Sequence, residues 1–207
     1  MSVDAIANCI DNTDKDNLGI FWFAKNFFPT RFTFPFDKVH FAMAKLLFKL
    51  LDPTREYIMD RQAYLMVHRE AAKSTIGTFL FPMYNIYLKG HTIYVDTDIL
   101  DWTAQQKKEN AHMMIGNSIP ITLNEHFICI SSETSLRATM FVSSLKAEVE
   151  KRTDLARIFG EKDPRVIVGE EDDRRRSNKM WRVNSFCLKS ISLFNAKSML
   201  LIHNDQT

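Results

Sequence analysis

Helical spacing of apolar residues marks the first quarter of the chain. Between residues 39 and 51 these residues recur at intervals that place them on one face of a helix. Asp37 stands at the N-cap position of this helix, and Pro53 stands just beyond its end. We therefore predict that residues 1–54 form a mostly helical N-terminal segment.

The same segment is rich in aromatic residues, which crowd into one region: Phe21, Trp22, Phe23, Phe27, Phe28, Phe32, Phe34, Phe36 and Phe41. We interpret them as a hydrophobic anchor that packs against the main domain. An aromatic platform for a nucleic-acid base or an adenine ring is the alternative interpretation.

Strand and helix patterns alternate in the middle of the chain. A short apolar run at residues 64–67 predicts a buried strand, and residues 73–88 predict a helix that Pro82 interrupts and that ends near Gly90. The later patterns predict strands at 92–95 and 127–130, a helix at 101–114, a turn or hairpin at 117–124, and a long amphipathic helix between residue 134 and Gly160. This alternation predicts an α/β core with a largely parallel sheet flanked by helices.

Composition is that of one folded domain of ordinary size. Hydrophobic residues make up 45% of the 207 residues, so the chain can bury the core of one ordinary domain. The net charge of +2 does not indicate a whole-molecule nucleic-acid binder, and the three scattered cysteines form no metal-binding spacing and suit a reducing compartment. The N-terminus does not resemble a secretory signal, and no apolar stretch approaches the roughly 18 residues of a membrane span. We expect a soluble intracellular protein.

Residues 170–176 join a run of acids to a run of arginines, Glu-Glu-Asp-Asp-Arg-Arg-Arg. We interpret this segment as a solvated loop whose charges compensate one another. A DNA-contacting arginine cluster is the alternative.

Candidate chemistry lies between the strand at 64–67 and the helix that follows it. Residues 67–75, Val-His-Arg-Glu-Ala-Ala-Lys-Ser-Thr, match a phosphate-binding (Walker A) loop in which Val67 and Ala72 replace both glycines. Such loops hold phosphates through backbone N–H groups at a helix N-terminus, with a lysine at the β- and γ-phosphates and a hydroxyl on Mg²⁺. The sequence therefore predicts an ATP and Mg²⁺ site formed by His68, Arg69, Glu70, Ala71, Ala72, Lys73, Ser74 and Thr75. The alternative is an ordinary helix start at the same place.

ATP hydrolysis also requires an acidic residue at the end of a second strand, where it holds Mg²⁺. Residues 93–96 have the form of such a strand and end in Asp96, but they follow Lys73 closely and no second acid comes next. The last apolar run, residues 199–202, continues into His203, Asn204 and Asp205. Neither segment matches the pattern well, so we expect poor hydrolysis by this chain alone.

The order of these motifs resembles the N-terminal ATPase region of tailed-phage terminase large subunits. The segment from His68 to Thr75 is similar to that family's glycine-poor loop with its early arginine, and Phe81-Pro82-Met83-Tyr84 falls in the helix after it. Residues 127–134 resemble the next core strand, residues 138–160 resemble a helix that closes on Phe-Gly, and residues 181–186 resemble the start of a strand pair. The likeness covers roughly residues 25–186.

This resemblance implies a P-loop NTPase-like fold and an ATPase of the motor that packages double-stranded viral DNA into a procapsid. Lys73 would contact the β- and γ-phosphates, Ser74 would hold Mg²⁺ through its hydroxyl, and Arg69 would be a phosphate-side or sensor arginine. The resemblance also implies the terminase small subunit and the portal protein as partners, a homo-oligomer in the full motor, and the cytoplasm of a bacterial host as the location.

The chain departs from the family in two places. Residues 91–125 look like an insertion between core elements, and residues 187–207 form a tail without resemblance. The family's acidic strand, coupling motif and RNase H-like nuclease domain are not recognised in the sequence. We therefore expect an incomplete P-loop core at residues 55–186, from a truncated, split or intron-interrupted gene.

Two other functions compete with this one. The first is a small P-loop kinase-like protein that uses Asp96 or Asp98 for its metal. The second is a non-enzymatic interaction protein that docks a partner through its aromatic N-terminal segment.

Overall fold

The computed structural model describes residues 2–14, 17–55, 72, 74–123, 127–132, 135–160 and 199–204. The helices in these ranges are α1 (Ser2–Ile10), α2 (Gly19–Phe27), α3 (Lys38–Leu51), α4 (Phe81–Tyr87), α5 (Ala104–Glu109), α6 (Ser135–Lys151) and α7 (Thr153–Phe159). The strands are β1 (Asp11–Asn12), β2 (Thr92–Asp96), β3 (Ser118–Thr122), β4 (Phe127–Ser132) and β5 (Met199–Asn204). A π-helical turn, Thr75–Leu80, runs directly into α4, and a 3-10 turn, Ala111–Met113, follows α5.

Strand pairing confirms the α/β class and corrects the expected sheet. β2 lies between β1, to which it is parallel, and β3, to which it is antiparallel, while β4 and β5 form a separate parallel pair. The expected largely parallel sheet is therefore wrong for β2 and β3. The helix predicted at 101–114 is only the short α5 and the 3-10 turn, and beyond it β3 pairs antiparallel with β2 from Thr92 with Thr122 to Asp96 with Ser118. The P-loop NTPase arrangement stays a prediction, because the strand predicted at 64–67 lies outside the described residues.

The aromatic N-terminal segment packs against the rest of the chain, as the sequence predicts. Phe23 meets Tyr84 of α4 edge to face at 5.6 Å between ring centroids, and Phe28 meets Phe79 in the same way at 5.2 Å. Asp37 caps α3 by accepting hydrogen bonds from the backbone N–H groups of its first turn. The predicted helical character of this segment and its role as a hydrophobic anchor are thus confirmed.

The end of α1 and the start of α2 approach each other so closely that only glycine fits between them. A Cβ atom on Gly19 would lie 2.3 Å from the carbonyl oxygen of Cys9 and 2.6 Å from that of Asp11. This contact fixes β1 beside α2, and β1 in turn sets the edge of the three-stranded sheet.

A break divides the long helix predicted after residue 134. α6 ends at Lys151, Arg152 leaves helical geometry with φ −93° and ψ 74°, and α7 then continues to Phe159. Arg152 is held there by two hydrogen bonds to Asp154, at 2.8 and 2.7 Å, and its guanidinium lies over the ring of Phe28. The predicted stop at Gly160 is confirmed, since its φ of +82° suits glycine.

Residues 91–123, the described part of the segment predicted as an insertion (91–125), belong to the packed core. They form β2, α5, the 3-10 turn and β3, and their side chains at Ile93, Val95, Ile119 and Leu123 are fully buried. These residues join the same hydrophobic cluster as α2, α3 and α4. The described part of the segment therefore contributes to the hydrophobic core.

Candidate functional site

The described part of the candidate loop begins at Ala72 and continues with Ser74 and Thr75. The predicted site residues His68, Arg69, Glu70, Ala71 and Lys73 lie outside the described residues, as do residues 170–176 and 181–186. The structure shows the helix that follows the candidate loop and the residues around that helix.

Ala72 adopts a left-handed backbone conformation, with φ +52°. Such a conformation costs an alanine roughly 1–2 kcal/mol and is normally occupied by glycine. Ala72 stands at the position of the second glycine in a phosphate-binding loop. The backbone at this position thus has the geometry that glycine would favour, although the residue is alanine.

A helix begins at Ser74. The carbonyl of Ala72 accepts a hydrogen bond from the N–H of Ile76 at 2.9 Å, and Ser74 already has right-handed helical geometry. Thr78 donates its hydroxyl hydrogen to the carbonyl of Ser74 at 2.5 Å. The predicted helix after the loop is confirmed, with Ser74 and Thr75 half-buried in its first turn.

The first turns of this helix are wide. Residues Thr75–Leu80 form π-helical hydrogen bonds, such as that from the Phe81 N–H to the Ile76 carbonyl. Pro82 has no N–H to donate, and its ring would clash with the carbonyl four residues earlier in a regular α-helix. The wider π turn relieves this clash, so the helix passes through Pro82 where the sequence predicts an interruption.

Buried hydrogen bonds fix the helix to the N-terminal segment. The hydroxyl of Tyr84 donates to the carbonyl of Cys9 at 2.6 Å and accepts from the amide of Asn12 at 3.0 Å. The side-chain oxygen of Asn12 accepts in turn from the N–H of Ile20 at 3.1 Å. Burial raises the pKa of Tyr84 above its usual range and the pKa of Cys9 to about 12, so both groups stay neutral. This network holds the candidate loop's helix rigidly against α1, β1 and α2.

Asn85 has an unusual environment on the same helix. Its side chain is buried, and its amide group donates to the carbonyl of Phe81 at 2.8 Å. Its side-chain oxygen receives no hydrogen bond from the described residues. No sequence pattern would have singled out this residue, because a lone asparagine inside a helix carries no motif.

The carboxylates of Asp96 and Asp98, proposed above as alternative metal ligands, are engaged with side chains of the hairpin. Asp96 accepts from the amide of Asn117 at 3.0 Å, and Asp98 accepts from the ammonium of Lys107 at 2.7 Å. Lys107 also reaches the side-chain oxygen of Asn117 at 3.3 Å. The lysine ammonium stands beside Asp98 where a metal ion would have to bind, so this arrangement does not favour the kinase-like alternative.

The half-buried aromatic rings of the N-terminal segment already have stacking partners. Phe36 stacks on Phe21 at 4.1 Å between centroids, and Phe34 stacks on His40 at 5.1 Å. The ammonium of Lys25 lies 5.4 Å from the centre of the Phe36 ring. Because these contacts take up the ring faces, the geometry favours a packed anchor over a stacking platform for a base.

An arginine network that the sequence did not indicate joins the π turn to α6. The guanidinium of Arg31 lies 4.1 Å from the centre of the Phe79 ring and donates to the hydroxyl of Ser144 at 3.0 Å. A weaker contact joins Arg31 to Glu148 at 3.5 Å, and Glu148 also lies 3.8 Å from Arg152. The hydrogen bonds from Arg152 lower the pKa of Asp154. Residues so far apart in sequence give no local signal of this contact.

Polar residues meet at one end of the β4–β5 pair. Ser131 is paired with His203 and Ser132 with Asn204, directly after the apolar pair Ile130 and Ile202. The strand from Met199 to Asn204 thus lies beside β4, although residues 187–207 show no resemblance to the family at the level of sequence.

Among the described residues, no group of three or more His, Cys, Asp or Glu side chains is placed to hold a metal ion. Likewise, none of the helices in the described ranges has both the length and the apolar character that a membrane crossing requires.

Comparison with known proteins identifies no relative of this chain. The sequence matches no model of a known protein family and no curated protein, and the structure matches no solved structure.

Proposed function

We propose that this chain is the ATP-binding portion of a DNA-packaging motor of the terminase large-subunit type. In this proposal the segment from His68 to Thr75 holds the phosphates of ATP, and the chain is a poor ATPase by itself. Double-stranded viral DNA, the small subunit and the portal protein would be the partners of the full motor, which would be a homo-oligomer in the cytoplasm of a bacterial host.

The observation that carries the proposal is the left-handed Ala72 directly ahead of the helix that starts at Ser74. A left-handed residue followed by helical residues turns consecutive backbone N–H groups toward one point, which is how anion-binding loops are built. Strained backbone at a non-glycine residue is retained where the surroundings enforce it, and such positions concentrate at functional sites. The N–H of Ile76 bonds to the Ala72 carbonyl and so ties this backbone to the helix, which the buried network around Tyr84 joins to the N-terminal segment.

Three residues of the proposed site have specific roles in this proposal. Lys73 would place a positive charge at the β- and γ-phosphates, and Arg69 would contact the phosphates or sense them. The hydroxyl of Ser74 is an oxygen donor of the kind that Mg²⁺ accepts. Mg²⁺ commonly takes only one or two protein ligands and completes its shell with phosphate oxygens and water. The residues present therefore fit a Mg²⁺ ion that is held mainly by the nucleotide.

The test is a titration of the full chain with a fluorescent ATP analogue. Lys73→Ala should weaken binding about ten- to a hundredfold, because a hydrogen bond to a charged group contributes about 1.5–3 kcal/mol. Lys108→Ala is the matched control, since Lys108 is an exposed lysine of α5. ATP at 100 times its Kd should also stabilise the fold by about 2.7 kcal/mol, and hence raise Tm by roughly 5–10 °C.

Two outcomes would contradict the proposal. Equal binding by the wild-type chain and Lys73→Ala would show that the loop does not hold the phosphates. A complete lack of nucleotide binding would leave the segment as an ordinary helix start.

A further inference from the structure

Arg31, which lies between α2 and α3 in the sequence, contacts both the π turn and α6. Its guanidinium lies 4.1 Å from the centre of the Phe79 ring and donates to the hydroxyl of Ser144 at 3.0 Å. A weaker ion pair joins the guanidinium to Glu148 at 3.5 Å. Ser144 and Glu148 are one turn apart on α6, so the same helix holds the guanidinium at two points. Arg31 therefore fixes the position of Phe79 relative to α6.

Phe79 is the residue of the π turn on which this contact acts. Its side chain is only 5% exposed. Its ring meets Phe28 edge to face at 5.2 Å between centroids and lies 6.5 Å from the ring of Phe32. Close-packed side chains transmit displacements to one another, because no free volume absorbs them. A change in the position of Arg31 should therefore move Phe79, and with it the π turn.

The π turn is bonded to the backbone at the start of the candidate site. The hydroxyl of Thr78 donates to the carbonyl of Ser74 at 2.5 Å, and the N–H of Ile76 donates to the carbonyl of Ala72 at 2.9 Å. These bonds fix the left-handed residue and the first helical residue relative to the turn. The orientation of the π turn therefore sets the direction of the N–H groups that such a loop turns toward an anion.

The contacts of Arg31 are better suited to orienting the π turn than to stabilising the fold. Its side chain is 39% exposed, and exposed ion pairs stabilise folded proteins only weakly. A planar guanidinium can nevertheless place its face on the Phe79 ring while its in-plane N–H groups donate to Ser144. This combination defines an angle as well as a distance.

We infer that Arg31 is a positioning residue for nucleotide binding, which acts through Phe79 to orient the π turn and the backbone ahead of it. This inference rests on the proposed function. Loss of Arg31 leaves the site folded but misaligned, so nucleotide affinity falls while stability changes little. The position of α6, which holds the guanidinium, then sets the affinity of the loop for its nucleotide.

Arg31→Met tests this inference in the full chain. Methionine keeps a long apolar side chain near the Phe79 ring but donates no hydrogen bond to Ser144. The Kd of a fluorescent ATP analogue should rise about tenfold, because a small misplacement of binding groups is costly. Tm should fall by less than about 4 °C. Arg31→Lys keeps a cation that can lie over the ring and should raise Kd by no more than about threefold.

Arg152→Met is the matched control. The Arg152 guanidinium also lies over a ring, that of Phe28 at 4.9 Å, and it donates to Asp154 at 2.8 and 2.7 Å. These contacts lie at the break between α6 and α7. Arg152→Met should therefore lower Tm at least as much as Arg31→Met, and it should leave Kd within about twofold of the wild type.

Ser144→Ala tests the same contact from the side of α6. It should raise Kd about threefold in the wild-type chain and should have no further effect when Arg31 is already methionine, because both changes break one contact. This variant removes a single hydroxyl, so it also provides the comparison if Arg31→Met does not fold.

The possible failures are distinguishable. If Lys73→Ala loses binding while Arg31→Met and Ser144→Ala bind like the wild type, or lose affinity only in proportion to Tm as Arg152→Met does, Arg31 has a structural role alone. This inference is then wrong and the proposed function stands. If Lys73→Ala binds like the wild type, or the wild-type chain binds no nucleotide, the proposed function is wrong and this inference fails with it.

Discussion

Replacement of Tyr84 by phenylalanine should destabilise the fold strongly, although it removes a single oxygen atom. The Tyr84 hydroxyl joins the carbonyl of Cys9, at 2.6 Å, to the side-chain amide of Asn12, at 3.0 Å. All three residues are fully buried. Water therefore does not reach the site to replace the lost hydroxyl, unlike at the protein surface.

The expected loss follows from the two groups that remain without their partner. A buried polar group without its hydrogen bond costs about 1–3 kcal/mol. The amide of Asn12 keeps a second, longer hydrogen bond to the carbonyl of Ile10 at 3.3 Å. The loss of stability from the Asn12 amide should therefore be near the lower end of that range. The sum is roughly 2–4 kcal/mol, which corresponds to a fall in Tm of roughly 5–15 °C for a domain of this size.

Urea denaturation followed by circular dichroism measures this loss. Tyr87→Phe is the matched control, because Tyr87 is buried on the same helix and its hydroxyl makes no hydrogen bond within the described residues. The double variant with Asn12→Ala should show a coupling free energy of about 1 kcal/mol or more. Equal destabilisation by Tyr84→Phe and Tyr87→Phe, or additive effects in the double variant, would refute the reasoning.

Three further changes test other contacts. Gly19→Ala should lower the free energy of unfolding by about 3 kcal/mol or more, as measured by thermal denaturation. The new Cβ would lie 2.3 Å from a backbone carbonyl oxygen of α1, so α2 would have to move. Trp102→Phe should cost about 2 kcal/mol in urea denaturation, because the buried carboxylate of Asp52 loses the indole N–H that donates to it at 2.7 Å. Arg152 lowers the pKa of Asp154 below its ordinary value of 3.8. The ion pair therefore stabilises the fold fully above pH 3.8, and this stabilisation is lost as the pH falls through the lowered pKa. Asp154→Asn should remove this small part of the acid dependence, as measured by unfolding curves between about pH 2 and 6.

Each of these changes has a control in the same chain. Gly90→Ala is the control for Gly19, because a Cβ there would meet open space and only its φ of +85° would oppose the change. Trp22→Phe is the control for Trp102, and Asp4→Asn is the control for Asp154. The contact arguments would be wrong if any control matched its test variant.

Element types followed from the sequence where the local pattern was long and regular. The helix over residues 39–51 with its Asp37 cap, the strands at 92–95 and 127–130, and the helix stop at Gly160 are all present. Each depends on interactions within a few residues, namely the spacing of apolar side chains, a capping carboxylate and the freedom of glycine at positive φ. Such signals are complete within a short window of sequence.

The candidate site was less accessible from the sequence. The helix start at Ser74 and its place after a phosphate-loop pattern could be predicted from the motif itself. The left-handed Ala72 and the π turn before Pro82 could not be predicted from the sequence. In both cases the packed helix accommodates a residue in a backbone conformation that its local preferences disfavour. The anchoring of Tyr84 to Cys9 and Asn12 joins segments that are distant along the chain, and no periodicity marks it.

Sequence alone determined an α/β chain with an aromatic helical N-terminal segment, and it selected the stretch around Lys73 and Ser74 as the one candidate with a chemical meaning. Only the tertiary structure decided that β3 runs antiparallel to β2, that β5 lies beside β4, and that Asp96 and Asp98 are engaged by Asn117 and Lys107. Local patterns report the face that an element buries, because that depends on the spacing of its own side chains. They do not report which element covers that face, because strand pairing and ion pairing are chosen by residues far away in the sequence.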